Sequence, residues 1–444
     1  MMKKFFIYLV FAVTAISGCT KKTDELFPEP ADVRLQKALT AYKTSLIQAP
    51  GWKVFVYPQG LVSQGIEVGG LTYYMKFPDS NRVSMVSDFR EDMAATAKES
   101  GYRIEALQLP SILFDTYSYI HVAADPDPDV STSPTQAGGF GWGTDFEFGF
   151  KAAEPADTLV MRGLFNQSDA IMLPATQEEI DAAFSGRVAH IMQATDDFSA
   201  SGPFLYFPGS DNATIGITFN MFLHRVNFNY ISESSLATIT APFSHTTDGI
   251  HLKFPITVGG YTFQDLFWDD AQQRYYVNTG NGRADITNST APIFPFHTVL
   301  GKVISTINVP TTPLDGQSAE FTSIYNEIKS NLINSPYTLE LADMDFIFDD
   351  ASKTMALTVI VEQSGVEFEC VYNYTYSINA NNIANFTRTG MNGNAGLVVN
   401  EMSPFLDYID DDSFKLDYYS AVSPPLGQFT SQNNPGFFFT GNLE

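Results

Sequence analysis

The residues best equipped for chemistry fall in three short stretches. In the first, Ile16-Ser17-Gly18-Cys19 closes an uncharged apolar run from Phe5 that follows the basic pair Lys3 and Lys4. A basic start, a short apolar core and small residues before the cut are the parts of a signal peptide. The run is too short to span a hydrocarbon core of about 30 Å. A cysteine at the cleavage position makes this a lipobox, in which the thiol is joined to diacylglycerol and the freed amine is then acylated. Cys19 is the expected lipidation site, and more than one acyl chain is required because a single chain holds a membrane only marginally.

The second stretch, Asp125-Pro126-Asp127-Pro128-Asp129, spaces three carboxylates as a calcium loop does. Asp125, Asp127 and Asp129 are therefore the candidate metal ligands, with calcium the one candidate cofactor. Val130 stands where the sharp-turn glycine belongs, and alternating prolines stiffen the segment, which favours an exposed acidic loop. The third stretch, Gly138-Gly139-Phe140-Gly141-Trp142-Gly143, holds two aromatic rings among four glycines. Phe140 and Trp142 are the candidate ligand-binding residues, since aromatic faces on a loop stack on sugar rings or apolar ligands. The competing expectation is a cover that packs these rings over the open end of a barrel.

Elsewhere the chemistry thins out. His245 and His251 flank the Asp248-Gly249 hairpin signal, and a two-residue turn sends their imidazoles to opposite faces of the ribbon, against a shared metal. His121, read on a strand over 119–123, is expected to be a hydrogen-bonded packing residue. Zinc-protease, phosphate-loop, nucleophile-elbow and dinucleotide motifs are absent, and no catalytic residue is nominated. With lipid on Cys19, Cys370 has no partner in the chain, and its strand-like surroundings make it a small buried apolar side chain. The formal charge of −25, two units more negative once Lys3 and Lys4 leave, opposes nucleic-acid binding, which needs a basic stripe.

The elements that must position these residues are mostly short strands. A linker over 19–30 follows the signal at 1–18. Leu35, Leu39, Tyr42 and Leu46 then recur at helical spacing between Pro30 and Pro50-Gly51, which predicts a helix over 31–48. From Trp52 the chain turns to aromatic and β-branched runs punctuated by Gly, Pro, Asp and Asn, including 52–57, 71–77, 82–86, 119–123, 145–150, 158–162 and 170–173. A capping box at Thr176 and Glu179 opens a second helix over 177–193, and Phe321, Ile324, Ile328 and Leu332 mark a third over 318–333. The expected fold is mainly β with a few helices, in two antiparallel barrel- or sandwich-like domains, 31–175 and 176–444. Three similar stretches, Asp79-Ser80-Asn81-Arg82, Asp269 to Arg274 and Asp349 to Thr354, each read as strand, tight turn, strand, so their acids are turn formers first.

Leu26-Phe27, Ala49-Pro50-Gly51-Trp52, Tyr57-Pro58, Gly69-Gly70 and Tyr73 form one pattern, continued by Phe114-Asp115-Thr116-Tyr117, His121 and Asp125-Pro126. With Phe429-Thr430-Ser431 and Asn434-Pro435, it resembles the Bacteroidetes lipoproteins called domain of unknown function 4302. The chain departs from that family in lacking an Asn between Pro50 and Gly51 and in a longer insertion over Thr135 to Gly143. The resemblance implies an outer-membrane lipoprotein, surface-exposed or periplasm-facing, encoded beside nutrient transporters. It implies no catalytic residues. The function this supports is non-catalytic binding or uptake of an extracellular glycan or peptide as accessory to an outer-membrane transporter complex. The alternatives are an extracellular hydrolase working through paired carboxylates, and a structural component of a surface complex.

Overall fold

The computed structural model describes residues 29–135, 139–152, 155–210, 213–233, 235–280 and 282–444. Cys19 and Gly138 lie outside them. The chain is mainly β, and its paired strands are antiparallel throughout the three sheets, most of them joined to the next by a short turn.

Eight strands close the first barrel in sequence order: β1 Gly51–Tyr57, β2 Leu71–Lys76, β3 Arg82–Ser87, β4 Lys98–Ala106, β5 Pro110–Phe114, β6 Glu147–Phe150, β7 Leu159–Gly163 and β8 Asp169–Ala175. β8 pairs back onto β1, Gly51 opposite Ala175. Helix α1, Ala31–Gln48, seals one end. Tyr42 stacks on Phe150 at 3.9 Å and donates its hydroxyl to the Ala152 carbonyl, while the Trp52 indole donates to the Leu46 carbonyl at 3.1 Å. Burying Tyr42 and Leu46 in this way contributes about 2–3 kcal/mol each.

The segment after residue 175, expected as one β-rich domain, carries two sheets. Nine strands form the first of them: β9 Phe204–Pro208, β10 Thr214–Asn220, β11 Arg225–Ser232, β12 Ser235–His245, β13 Gly249–Val258, β14 Tyr261–Asp269, β15 Arg274–Asn278, β16 Arg283–Asp285 and β17 Thr287–Ser289. β16 pairs with β15 and β17 with β9, so only Ile286 separates the two edges of this middle sheet and one extended segment draws them together. The second barrel closes over β18 Thr306–Pro310, β19 Glu340–Asp349, β20 Thr354–Gln363, β21 Val366–Ile378, β22 Ile383–Met391, β23 Ser413–Tyr419, β24 Leu426–Ser431 and β25 Phe438–Leu443. Its core is rich in phenylalanine, with Phe429 stacked on Phe439 at 4.6 Å.

The remaining helices are α2 Glu91–Ala95, α3 Tyr119–Val122, α4 Pro128–Ser131, α5 Gln177–Phe184, α6 Arg187–Ser199, α7 Phe296–Val299, α8 Ala319–Ile333 and α9 Gly393–Asp411. The helix expected over 177–193 is two helices, because Gly186 takes φ +91° and ends one before the other begins. The strand expected over 119–123 is α3. Ser118 and His121 form a capping box that closes a helical turn around the alternating Ile120 and Val122. Helix α9 escapes a strand-rich reading because Gly393, Gly396 and Pro404 are poor helix formers. Asn392 caps it, Val398, Met402, Phe405 and Ile409 bury one face, and the Ser403 hydroxyl serves the Asn400 carbonyl that Pro404 cannot.

The expected hairpin turn is formed at Asp269 and Asp349, and the Asp79 turn shares their backbone conformation. Asp269 accepts the amides of Ala271 and Gln272, and Asp349 accepts that of Ala351. Gln273, Lys353 and Asn81, each just before the returning strand, all take positive φ between 52° and 55°.

A polar seam joins the first barrel to the middle sheet. Backbone amides of Gly69 and Gly70 donate to the carbonyls of Leu223 and Phe243 at 2.7 and 2.9 Å. Asp88, fully buried, accepts the amides of Thr72 at 2.6 Å and His245 at 2.7 Å, so one carboxylate ties both sheets. Gly69 has no freedom here: a Cβ would fall 1.9 Å from the His224 carbonyl oxygen.

Candidate functional site

The glycine-rich loop is a cover. Phe140 is 47 % exposed, but Trp142 is only 3 % exposed, which corrects the expectation that both rings are held out for a ligand. The Trp142 indole donates to the Thr132 carbonyl at 3.2 Å and meets the rings of Phe89, His224 and Phe222 edge-on at 5.3, 5.7 and 6.3 Å. Its ring is thus wedged between the barrel end and the middle sheet. The neighbouring glycines serve close approach and not mobility: Gly141 at φ +50° would place a Cβ 2.6 Å from the Ala123 carbonyl oxygen, and Gly143 at φ +65° would place one 2.8 Å from the Leu61 nitrogen.

The three aspartates do not converge. Asp125 accepts the Asp127 amide and the Tyr117 hydroxyl, and Asp127 caps α4 by accepting the Asp129 amide at 3.0 Å. The Asp125 and Asp127 carboxylates are turned to local donors, which corrects the calcium-loop geometry. Among the described residues no group of three His, Cys, Asp or Glu side chains comes together to hold a metal ion.

The histidines are structural. His121 accepts the Ser118 amide at 3.1 Å and bonds the Phe114 carbonyl at 3.0 Å, and burial lowers its pKa. His245 and His251 do face opposite ways, but the two-residue turn expected at Asp248-Gly249 is corrected: His245 pairs with Ile250 and Ser244 with His251, so residues 246–249 connect the last pair. His245 is buried in the seam, 3.7 Å from Asp88. His251 stacks on Phe55 at 4.3 Å and bonds Asp265 at 2.7 Å, beside a cavity of about 270 Å³. Cys370 is buried, and desolvation pushes its thiol up to about 11, which leaves it unreactive.

One polar cleft is a feature the sequence did not single out. An open cleft of about 520 Å³ runs between α6, the β14–β15 turn and the closing segment at 286–288. α6 contributes Gln193 and Asp197, the turn contributes Gln272, β15 contributes its first residue, Arg274, and the closing segment contributes Asn288. Trp268 and Phe198, packed edge to face at 6.0 Å, form its apolar floor. Beside the cleft, Asp270 receives both terminal nitrogens of Arg187, at 3.0 and 2.8 Å, together with His190 at 2.9 Å and the Trp268 indole at 3.0 Å. The Arg187 guanidinium, first among these, brings Asp270 down to about 2. Through these bonds Asp270 fixes Arg187, Trp268 and His190 at the edge of the cleft. Its position in the repeated turn hides this role, because its twin Asp350 meets lysines instead.

Exposed apolar side chains gather elsewhere, on the outer face of the first barrel. Leu109 and Leu164 lie over Gly149 there, and Phe165 is 89 % exposed. They offer a ligand mainly dispersion contact.

The family described as domain of unknown function (DUF4302) matches residues 23–270, more than half of the sequence. The chain belongs to this family. The match spans the first barrel and ends in the β14–β15 turn, so Gln272, Arg274 and Asn288 of the cleft lie beyond it. No curated protein sequence matches this DUF4302 member. Solved structures give slight overlaps. Transferrin binding protein B of serogroup B Neisseria meningitidis is 11 % identical, covering 89 % of this chain and 76 % of that one at a TM-score of 0.14. A variant of the Haemophilus parasuis protein of the same name is 10 % identical, covering 88 % and 73 % at 0.13. The sliding-clamp β subunit of DNA polymerase III from Bartonella birtlesii is 9 % identical, covering 93 % and 97 % at 0.12. Overlaps this small carry no argument about fold or ligand. Among the described residues no helix is long and apolar enough to cross a membrane.

Proposed function

We propose that this DUF4302 member is a lipid-anchored outer-membrane lipoprotein of Bacteroidetes. In this reading it captures an extracellular nutrient, a glycan or a peptide, as a non-catalytic accessory to a transporter. The observation that carries the capture reading is the cleft of about 520 Å³ on the middle sheet, where amide side chains and a carboxylate surround an indole floor. Ligand sites are concave surfaces with an apolar base and a few placed polar groups, and this cleft has that make-up. The anchor reading rests on Cys19 in its lipobox.

Saturation-transfer NMR on the full mature protein, with digests of extracellular polysaccharide and protein as probes, tests the capture. Gln272→Trp places a bulky ring in the cleft from an exposed turn. Transfer to wild type that disappears in the variant supports the reading, whereas equal transfer to both overturns it. Shortening of the probes during the experiment would establish the hydrolase instead. For the anchor, a fatty-acid probe should mark wild type and leave Cys19→Ala unmarked, and equal marking would refute it.

A further inference from the structure

We propose that the cleft takes a saccharide bearing a carboxylate, with Arg274 as the anchor for that group. This rests on the capture reading above. Arginine pairing singles out the residue. Acids outnumber bases fifty to twenty-five in this chain, and arginines accordingly find carboxylates: Arg82, Arg90, Arg103, Arg162, Arg187, Arg225, Arg283 and Arg388 all do. Among the described residues Arg274 is the arginine with neither an ion pair nor a side-chain hydrogen bond, and it is half-buried in the wall of the cleft. A guanidinium presents a planar fork of donors that matches a carboxylate through two parallel bonds. Left without an internal partner in an acidic protein, that fork is available to a ligand.

The rest of the wall matches hydroxyl groups. Gln272 carries a donor and an acceptor on one planar group; Gln193 already donates to Asp197 at 2.9 Å and Asn288 to Ser201, which fixes their amide oxygens and the second Asp197 oxygen as acceptors for sugar hydroxyls. The Trp268 ring nitrogen is already satisfied by Asp270 and the ring is largely buried, so the small part that reaches the cleft floor meets a ligand as an apolar surface. An extended peptide would need an open strand edge for its backbone, and β15, which borders the cleft, is paired on one side with β14 and on the other with β16. The saccharide is therefore the better occupant.

The test is an array of oligosaccharides containing uronic or other carboxylate sugars, printed beside neutral saccharides of matched length and a set of short peptides. It is probed with the full mature protein and with Arg274→Gln and Arg274→Lys. The Arg274 side chain makes no ion pair or hydrogen bond to the described residues, so both variants should melt close to wild type. The expected result is retention on carboxylate sugars at least tenfold above neutral ones. Arg274→Gln should lose that preference, and Arg274→Lys, which keeps the charge without the fork, should fall between. Equal binding of neutral and acidic sugars, or an unchanged preference in Arg274→Gln, overturns the proposal and leaves capture standing. Binding of peptides alone does the same. Binding of neither class overturns both readings.

Discussion

Replacing Trp142 by alanine separates a structural wedge from a ligand platform without any ligand in hand. A tryptophan buries on the order of 200 Å², which at about 25 cal/mol per Å² sets an upper limit near 5 kcal/mol. Partial collapse of neighbours returns some of this, and large-to-small core changes of this type cost about 3–5 kcal/mol. Trp142 sits at 3 % exposure between Phe89 of the barrel and Phe222 and His224 of the middle sheet, so little collapse is open to it without loosening the seam. The Thr132 carbonyl also loses its donor, adding about 1 kcal/mol. We expect Trp142→Ala to cost about 4 kcal/mol in urea unfolding followed by circular dichroism, and to lower the melting temperature by on the order of 10 °C. Trp142→Phe, which keeps most of the ring and loses the indole donor, should cost about 1–2 kcal/mol. A loss within about 1 kcal/mol for Trp142→Ala would refute the wedge and return the loop to a display role.

Three further outcomes follow from buried titratable groups and from the seam. Burial, ahead of the opposing pull of Asp88, lowers the pKa of His224 below its ordinary 6.5, so the folded state holds it neutral while the unfolded chain takes up a proton. Stability is therefore full above 6.5 and falls as pH drops below it; urea midpoints that stay level from pH 7.5 to 5.5 would contradict this. The buried Cys370 thiol should resist a disulfide reagent in the native protein and react once the protein is unfolded in denaturant. Gly69→Ala should destabilise the seam by about 2 kcal/mol or more through collision with His224, read as a shared loss of unfolding midpoint for the barrel and the middle sheet; an unchanged midpoint would mean that the two sheets meet more loosely.

Much of this protein follows from local sequence alone. The proposed lipobox is a linear signal that needs no fold to be read, and residues 1–28 lie outside the described structure. Helix α1 starts and stops between prolines and carries its apolar residues at helical spacing. The aspartates of the repeated hairpins bond amides two or three residues on, so their geometry is fixed within one turn. The short β-branched and aromatic runs make strands wherever they pair. What local pattern cannot decide is which strands share a sheet, and the middle sheet and second barrel are therefore indistinguishable as strings of short strands after residue 175.

Tertiary structure alone assigns the fates of the chemically suggestive residues. Two glycines beside an aromatic pair fit either a mobile display loop or a close backbone approach, and only the positions of Ala123 and Leu61 decide for the latter. Asp270 and Asp350 occupy equivalent turns, yet one holds Arg187 and Trp268 at a cleft because α6 happens to pack there. The cleft itself draws on residues from 190 to 288 that meet only when Ile286 carries the chain from one edge of the middle sheet to the other. A site assembled from such distant segments leaves no spacing in the sequence, because its geometry is set by how the sheet curls and not by any local preference of the chain.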